Sequence, residues 1–176
     1  MGRGTTAFCR VTLMLPTVPP ELQGAASGDD MNSSQALANA LRAGMATLSL
    51  EVSPDPVPQL LAYLDLLAKW NGHYNLSAVR DPQQVLKRHL LDCLAVLAPL
   101  DRQLGAGRAR VLDVGSGGGL PGVVLAVLRP SWVVCCVDAV AKKASFIRQV
   151  ASELSLKDLQ AEHSRVESLV SPPFDV

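Results

Sequence analysis

Apolar residues recur every three to four positions through much of residues 34–104, which is the spacing of helices that bury one face. Leu60, Leu64 and Leu67 form the clearest apolar stripe, and Gly72 is expected to end the helix that carries it. The spacing predicts three helices, over 34–45, 57–71 and 82–99.

The pattern changes after residue 104, where short apolar runs alternate with helical segments. The predicted order is strand 111–114, helix 121–128, strand 132–137, helix 140–154, strand 159–163 and the start of a fourth strand at 174–176. Strands that alternate with helices form right-handed βαβ units with a parallel sheet. The sequence therefore predicts an α/β fold, with the sheet in residues 105–176 and a helical region in residues 34–104.

The two ends of the chain are predicted to differ from the ordered domain between them. Residues 1–33 are rich in Gly, Pro, Thr and Ser and lack hydrophobic periodicity, so they are predicted to be a disordered tail. The last residue falls where the fourth strand begins, and a parallel sheet cut there would leave an apolar edge uncovered. We therefore expect a sheet that is incomplete at the carboxyl terminus of a truncated chain.

Composition narrows the class of protein. Apolar residues make up 48% of the chain, enough for a core, and 16 basic residues balance 16 acidic ones, so an RNA contact would need a local basic patch. Cys9, Cys93, Cys135 and Cys136 lack C-x-x-C spacing, which favours reduced thiols in a cytoplasmic protein over a metal site. Because no apolar run approaches the roughly 20 residues that span a bilayer, no membrane association is expected.

The candidate functional residues lie in the stretch VLDVGSGGGLPG (111–122), which consists of the first predicted strand and the glycine-rich segment that follows it. Ligands of such sheets bind beyond the carboxyl ends of the strands, and glycine lets a ligand approach the backbone there. Gly117, Gly119 and Gly122 match the dinucleotide pattern G-x-G-x-x-G, but that register begins late and leaves Asp113 and Gly115 unexplained.

A register that begins at Asp113 and continues through Gly115, Gly117 and Gly119 uses all of these residues. It places a carboxylate at the strand tip, where a cationic amine would be held and a pyrophosphate repelled. S-adenosylmethionine carries such an amine, whereas NAD does not. Asp138, about 20 residues further on, suits the ribose of either cofactor. S-adenosylmethionine is the preferred cofactor, with a dinucleotide and a purely structural turn as alternatives.

Five segments together resemble a known family. They are KWNGHYNLSAVRDP (69–82), RHLLDCLAV (88–96), DVGSGGGLPG (113–122), FIRQV (146–150) and SRVE (164–167). Their order and spacing resemble those of the RsmG (GidB) methyltransferases of bacteria, which methylate N7 of a guanine in 16S ribosomal RNA. The resemblance implies a Rossmann-like class I S-adenosylmethionine-dependent methyltransferase fold with a helical N-terminal extension.

The resemblance also assigns residues to the cofactor. It implies that Gly115 and Leu120 line the cofactor pocket and that Val166 and Glu167 hold the adenine end. Asp113 and Asp138 fit the class I pattern for the amino group and the ribose, and Gly117 and Gly119 complete the cofactor-binding loop.

The implied partner is 16S ribosomal RNA or the small ribosomal subunit, bound by a monomer. Arg80, Arg88 and His89 match recurrent positions of the family's helical part and are candidate RNA contacts. No catalytic residue is assigned, because N7 of guanine has a free lone pair and needs no general base. A truncated fragment that only binds cofactor or RNA is the first alternative, and a dinucleotide-dependent oxidoreductase is the second.

Overall fold

A computed structural model describes residues 28–50, 52, 54–74, 82–105 and 107–176. Three helices come first, and strands alternating with helices follow. The elements are α1 (Gly28–Thr47), α2 (Val57–Tyr74), α3 (Pro82–Leu104), β1 (Arg110–Val114), α4 (Gly122–Leu128), β2 (Val133–Asp138), α5 (Ala141–Glu153), β3 (Leu159–His163) and a short 3₁₀ helix (Val166–Ser168).

The three strands form a parallel sheet in the order β1-β2-β3. Val134 in the central strand pairs with Val111 of β1 and with Leu159 of β3, and all three side chains are buried. The helices α4 and α5 connect successive strands, as right-handed βαβ units require. The predicted α/β fold with a parallel sheet is therefore confirmed.

The helical region and the sheet share one apolar core. In α2 the predicted stripe is buried, with Leu60, Leu64 and Leu67 at most 6% exposed. The same helix packs on α5, where the Trp70 and Phe146 rings lie 5.4 Å apart between centroids. The packing of α2 on α5 brings the helical region close to the loops that leave the sheet.

All three predicted helices are longer than the sequence pattern indicated. The first begins at Gly28, so residues 28–33 are helical and the prediction of a disordered tail is wrong for them, while residues 1–27 lie outside the described residues. Hydrophobic spacing detects only the buried part of a helix, and among the side chains of α1 described from residue 34 onward the first buried one is Ala38.

The second and third helices pass residues that were expected to stop them. The second continues through Gly72, because a helical glycine costs only about 0.5–1 kcal/mol. The third continues past Pro99 to Leu104. The apolar stripe runs on through Leu100 and Leu104, which pack against the core, so burial outweighs the proline.

The strands and the helices between them agree with the prediction to within one residue at each end, and β3 spans the predicted 159–163. The predicted fourth strand is not formed as a sheet strand. Residues 174–176 instead run beside the free edge of β1, where Asp175 N donates to Arg110 O and Leu112 N donates to Val176 O, each at 2.8 Å. Within the described ranges, no helix is both long and apolar enough to cross a bilayer.

Candidate functional site

The glycine loop lies where the prediction placed it, at the carboxyl edge of the sheet between β1 and α4. Its backbone is fastened to the neighbouring strand, because Gly115 N donates to Val137 O at 2.8 Å and Gly117 N donates to Asp138 Oδ2 at 3.0 Å. Asp138 in turn is paired in register with His163, the last residue of β3. The carboxyl ends of all three strands therefore meet around this loop.

Gly115 provides the open position of the loop. Its φ of +73° lies in the left-handed region, and a Cβ placed there would meet nothing within 4 Å. The residue is also exposed, so the backbone is bare toward solvent on that side. A left-handed, exposed glycine at the end of a strand is the kind of place where a ligand can lie against the main chain.

Asp113 faces the start of α4. Its Oδ2 accepts a hydrogen bond from Gly122 N at 3.0 Å, and the Cys136 thiol donates to the same oxygen at 3.8 Å. The approach is close, since a Cβ on Gly122 would lie 2.6 Å from that carboxylate oxygen. Asp113 therefore satisfies a free N–H of the α4 terminus with a carboxylate from β1.

Burial raises the pKa of the Asp113 carboxyl above its usual value, and the negative charge of Asp138 acts in the same direction. The Gly122 N–H, the Ser116 hydroxyl and the Cys136 thiol oppose that shift. The site thus holds a partly buried carboxylate for which a nearby cation would be a favourable partner.

Asp138, at the end of β2, accepts hydrogen bonds from the glycine loop and from the segment that leads into α5. It is 6% exposed, its Oδ2 accepts from Gly117 N, and its Oδ1 accepts from Val140 N at 2.8 Å. The Nζ of Lys143 lies 3.7 Å from Oδ2. Since each carboxylate oxygen has two lone pairs, acceptor capacity remains for a ribose hydroxyl, but positioning the loop is the role visible in the structure.

The segment with the predicted adenine contacts follows β3 at the same edge. Ser164 N donates to the backbone oxygen of Asp138 at 3.3 Å, so the chain leaving β3 stays beside the end of β2. The 3₁₀ helix that follows contains Val166 and Glu167, both of them exposed. Leu120 closes the glycine loop just before α4 and is half-buried.

The candidate RNA contacts are not brought to the glycine loop by any described hydrogen bond or ion pair. Arg80 lies outside the described residues. Arg88 falls within α3, although its side chain is outside the description, and His89 next to it is exposed. These three residues stay predictions.

Two residues of the site were not predicted from the sequence. Ser116 is 2% exposed, and its hydroxyl donates to the backbone oxygen of Asp113 at 2.7 Å, which closes the turn after β1. Tyr63 of α2 is fully buried, and its hydroxyl donates to Gly118 O at 2.6 Å. Ser116 was detectable as the polar residue within the glycine run, whereas the two partners of the second bond lie 55 residues apart and give no local signal.

The two cavities described for the molecule lie elsewhere, at the amino-terminal edge of the sheet. One of about 300 Å³ is lined by Pro54, Trp132 and Leu156, among others. The other, of about 620 Å³, includes Asp101 and Arg129, which form an ion pair. Neither cavity touches the glycine loop. Among the described residues, no three His, Cys, Asp or Glu side chains are grouped so that they could hold a metal ion.

Comparisons with known proteins agree on one family. The family model described as "GidB: rRNA small subunit methyltransferase G" matches residues 57–176. Proteins named Ribosomal RNA small subunit methyltransferase G are similar to this chain: 58% identical over 136 residues in Leptothrix cholodnii (77% of this chain, 62% of the relative), 56% over 142 in Methylibium petroleiphilum (81% and 64%), and 53% over 155 in Paracidovorax citrulli (82% and 63%). The chain thus spans somewhat less than two thirds of these relatives' length.

Proposed function

This chain belongs to the GidB family, and on that premise we propose that it binds S-adenosylmethionine and transfers the methyl group to N7 of a guanine in 16S ribosomal RNA. One observation supports the proposed cofactor above the others. The carboxylate of Asp113 sits at the amino terminus of α4, directly beside the bare backbone of the glycine loop.

This arrangement disfavours a dinucleotide. In dinucleotide sites the pyrophosphate accepts hydrogen bonds from the N–H groups at the start of the helix after the glycines. Here Gly122 N already donates to Asp113, and the fixed negative charge would repel a diphosphate. A methyl donor that carries an ammonium group would instead be attracted by the negative charge of Asp113.

The residues present fit S-adenosylmethionine. In this proposal Asp113 holds the amino group, and Gly115, Gly117, Gly119 and Leu120 line the pocket along the open side of the loop. The remaining contacts are to the nucleoside, with Asp138 at the ribose and with Val166 and Glu167 at the adenine. When bound, the cofactor supplies a methyl group activated by a sulfonium.

The protein's part in the reaction is alignment. N7 of guanine presents a lone pair, so no proton has to be removed before attack, and the proposed mechanism assigns no catalytic base. What the chain must do is hold the cofactor rigidly at one edge of the sheet and admit the base from solvent. The pinned backbone of residues 115–119 provides the first of these.

The proposed partner is 16S ribosomal RNA or the small ribosomal subunit. In this proposal the protein binds it as a monomer in the cytoplasm. We propose Arg80, Arg88 and His89 as RNA contacts, because basic side chains near phosphates position an RNA without reading its sequence. Their individual replacement by alanine is expected to raise the KM for RNA and to leave the KM for the methyl donor unchanged.

The proposal is tested by methyl transfer from radiolabelled S-adenosylmethionine to small ribosomal subunits that lack the modification. Cleavage at 7-methylguanine then reports both the base and the atom modified. Labelled N7 of one guanine in 16S RNA is the expected product. Label at another atom, or in protein, would contradict the proposed specificity, and tight binding of NADH without any binding of S-adenosylhomocysteine would contradict the proposed cofactor.

A further inference from the structure

We infer that Tyr63 is a positioning residue for the cofactor loop, through which the helical region holds the loop in its binding conformation. The inference rests on the proposed function, because it concerns affinity for the adenosyl cofactor. It assigns a role at this site to a residue of α2 that precedes the glycines by more than 50 positions.

The contact is short and shielded from water. The hydroxyl of Tyr63 donates to Gly118 O at 2.6 Å, and the side chain is fully buried. Burial raises the pKa of Tyr63 well above its usual value, so the hydroxyl keeps its proton and stays a donor at any physiological pH.

The bond fixes a whole peptide unit. In a trans peptide the carbonyl of one residue and the N–H of the next point in opposite directions. The carbonyl of Gly118 is held by Tyr63, and the N–H of Gly119 donates to Ser116 O at 2.7 Å. Both ends of this peptide unit are therefore anchored, one by the helical region and one by the loop itself.

Without the hydroxyl, this peptide unit would keep only the bond from Gly119 N to Ser116 O, and the Gly118 carbonyl would lose the partner that fixes its direction. Rotation of a peptide plane changes ψ of the residue before it and φ of the residue after it, and here both residues are glycine. Gly119 has a φ of +92° in the structure, and negative values are equally accessible to it. Two adjacent glycines therefore make this peptide unit easy to misorient, and Tyr63 is the contact from the helical region that opposes the rotation.

The ring of Tyr63 is itself held in place. Its centroid lies 6.5 Å from that of Phe146 in α5. One turn along α2, the Cδ1 of Leu67 lies 3.0 Å from where a Cβ on Gly118 would be. Because α2 contacts the loop at two successive turns, its position determines the position of the Gly118 carbonyl.

The test compares Tyr63→Phe with Leu60→Val in the full chain. The first variant removes only the hydroxyl. The second shortens a fully buried side chain on the same helix and serves as the control for a general loss of stability. We expect calorimetry to give an affinity for S-adenosylhomocysteine about five- to tenfold weaker in Tyr63→Phe and unchanged in Leu60→Val.

Amide hydrogen exchange without cofactor gives a second, independent readout. The Gly119 amide should exchange about tenfold faster in Tyr63→Phe, while amides in β2 stay protected as in the parent chain. Equal affinity and equal Gly119 exchange in parent and Tyr63→Phe would overturn the inference, as would an equal loss of affinity in Leu60→Val. If the parent chain binds no S-adenosylhomocysteine at all, the proposed function fails, and the role of Tyr63 in cofactor binding fails with it.

Discussion

The two edges of the sheet differ in what they offer a ligand. At the amino-terminal edge, two cavities of about 300 and 620 Å³ lie around Trp132. The carboxyl edge has the chemistry, because it joins a left-handed, open glycine to two aspartates whose oxygens accept backbone N–H groups.

The difference between the edges follows from the direction of the strands. In a parallel sheet all carboxyl ends meet at one edge, so the loops that leave them converge there. Asp113 and Asp138 occupy neighbouring strands near that edge, and each accepts a hydrogen bond from a backbone N–H of the segment 117–122. The placement of charge beside unshielded backbone therefore distinguishes the carboxyl edge.

The largest expected effect is the loss of cofactor affinity when Asp113 at the carboxyl edge is neutralised. Asp113→Asn keeps an oxygen that can accept from Gly122 N, so the free energy of unfolding should change by less than about 1 kcal/mol. The lost charge should weaken binding of S-adenosylhomocysteine about tenfold to a hundredfold, as measured by calorimetry.

The control for that variant is Asp101→Asn at the amino-terminal edge. It breaks the partly buried ion pair with Arg129 and should lower the free energy of unfolding by about 1–2 kcal/mol in urea titrations. Its cofactor affinity should equal that of the parent chain. If Asp101→Asn weakened binding as much as Asp113→Asn, the contrast between the edges would be lost.

A smaller effect is expected from substitution of two glycines with nearly identical φ angles. Gly115 at the carboxyl edge and Gly105 at the amino-terminal edge have φ values of +73° and +72°, and a Cβ added at either position would meet nothing within 4 Å. Alanine at either position should cost about 1–2 kcal/mol of stability, because both adopt the left-handed conformation. Only Gly115→Ala should also weaken cofactor binding, by about tenfold. Equal affinities in the two variants would mean that no ligand lies against Gly115.

The smallest effect is a difference in the pH dependence of stability between Asp113 and Asp55, which lies in sequence between Pro54 and Pro56 of the smaller cavity. Burial raises the pKa of Asp113, so its contribution to stability falls as the pH rises from about 3.8 through the folded-state pKa. The hydrogen bond from Arg42 lowers the pKa of Asp55, so its contribution is present above about 3.8 and is lost as the pH falls through the folded-state value.

This difference is measured by urea titrations at several pH values, with Asp113→Asn and Asp55→Asn each compared with the parent chain. The two differences in stability should change in opposite directions with pH. Binding of S-adenosylhomocysteine should also weaken on acidification through a midpoint above 3.8, except in Asp113→Asn. A slope of the same sign for both variants would contradict the assigned environments.

The sheet could be predicted closely from the sequence because its signals are local. The runs at 111–114 and 159–163 are bounded by glycine or polar residues. The helices between the strands are short, so the positions at which they begin and end are closely constrained. The ends of the long helices could not be predicted as well. At Gly72 the cost of a helical glycine is too small to end the helix, and at Pro99 the local preference to stop is overruled by the packing of Leu100 and Leu104 on the core.

The residues of the site could be predicted only as far as the chain brings them together along its length. Asp113 and the glycines are close in sequence, so their common location was foreseeable. The direction of the Asp113 side chain toward Gly122, and the support of Gly118 by Tyr63, depend on how α4 and α2 pack on their neighbours. Such contacts between a side chain and the backbone produce no repeating pattern of residues from which they could be predicted.

The most direct single measurement is a crystal structure of this chain with S-adenosylhomocysteine. We expect the ligand along residues 115–120, with its amino group within hydrogen-bonding distance of the Asp113 carboxylate and its ribose beside Asp138. Density for the ligand in either cavity around Trp132, or an amino group turned away from Asp113, would contradict the account.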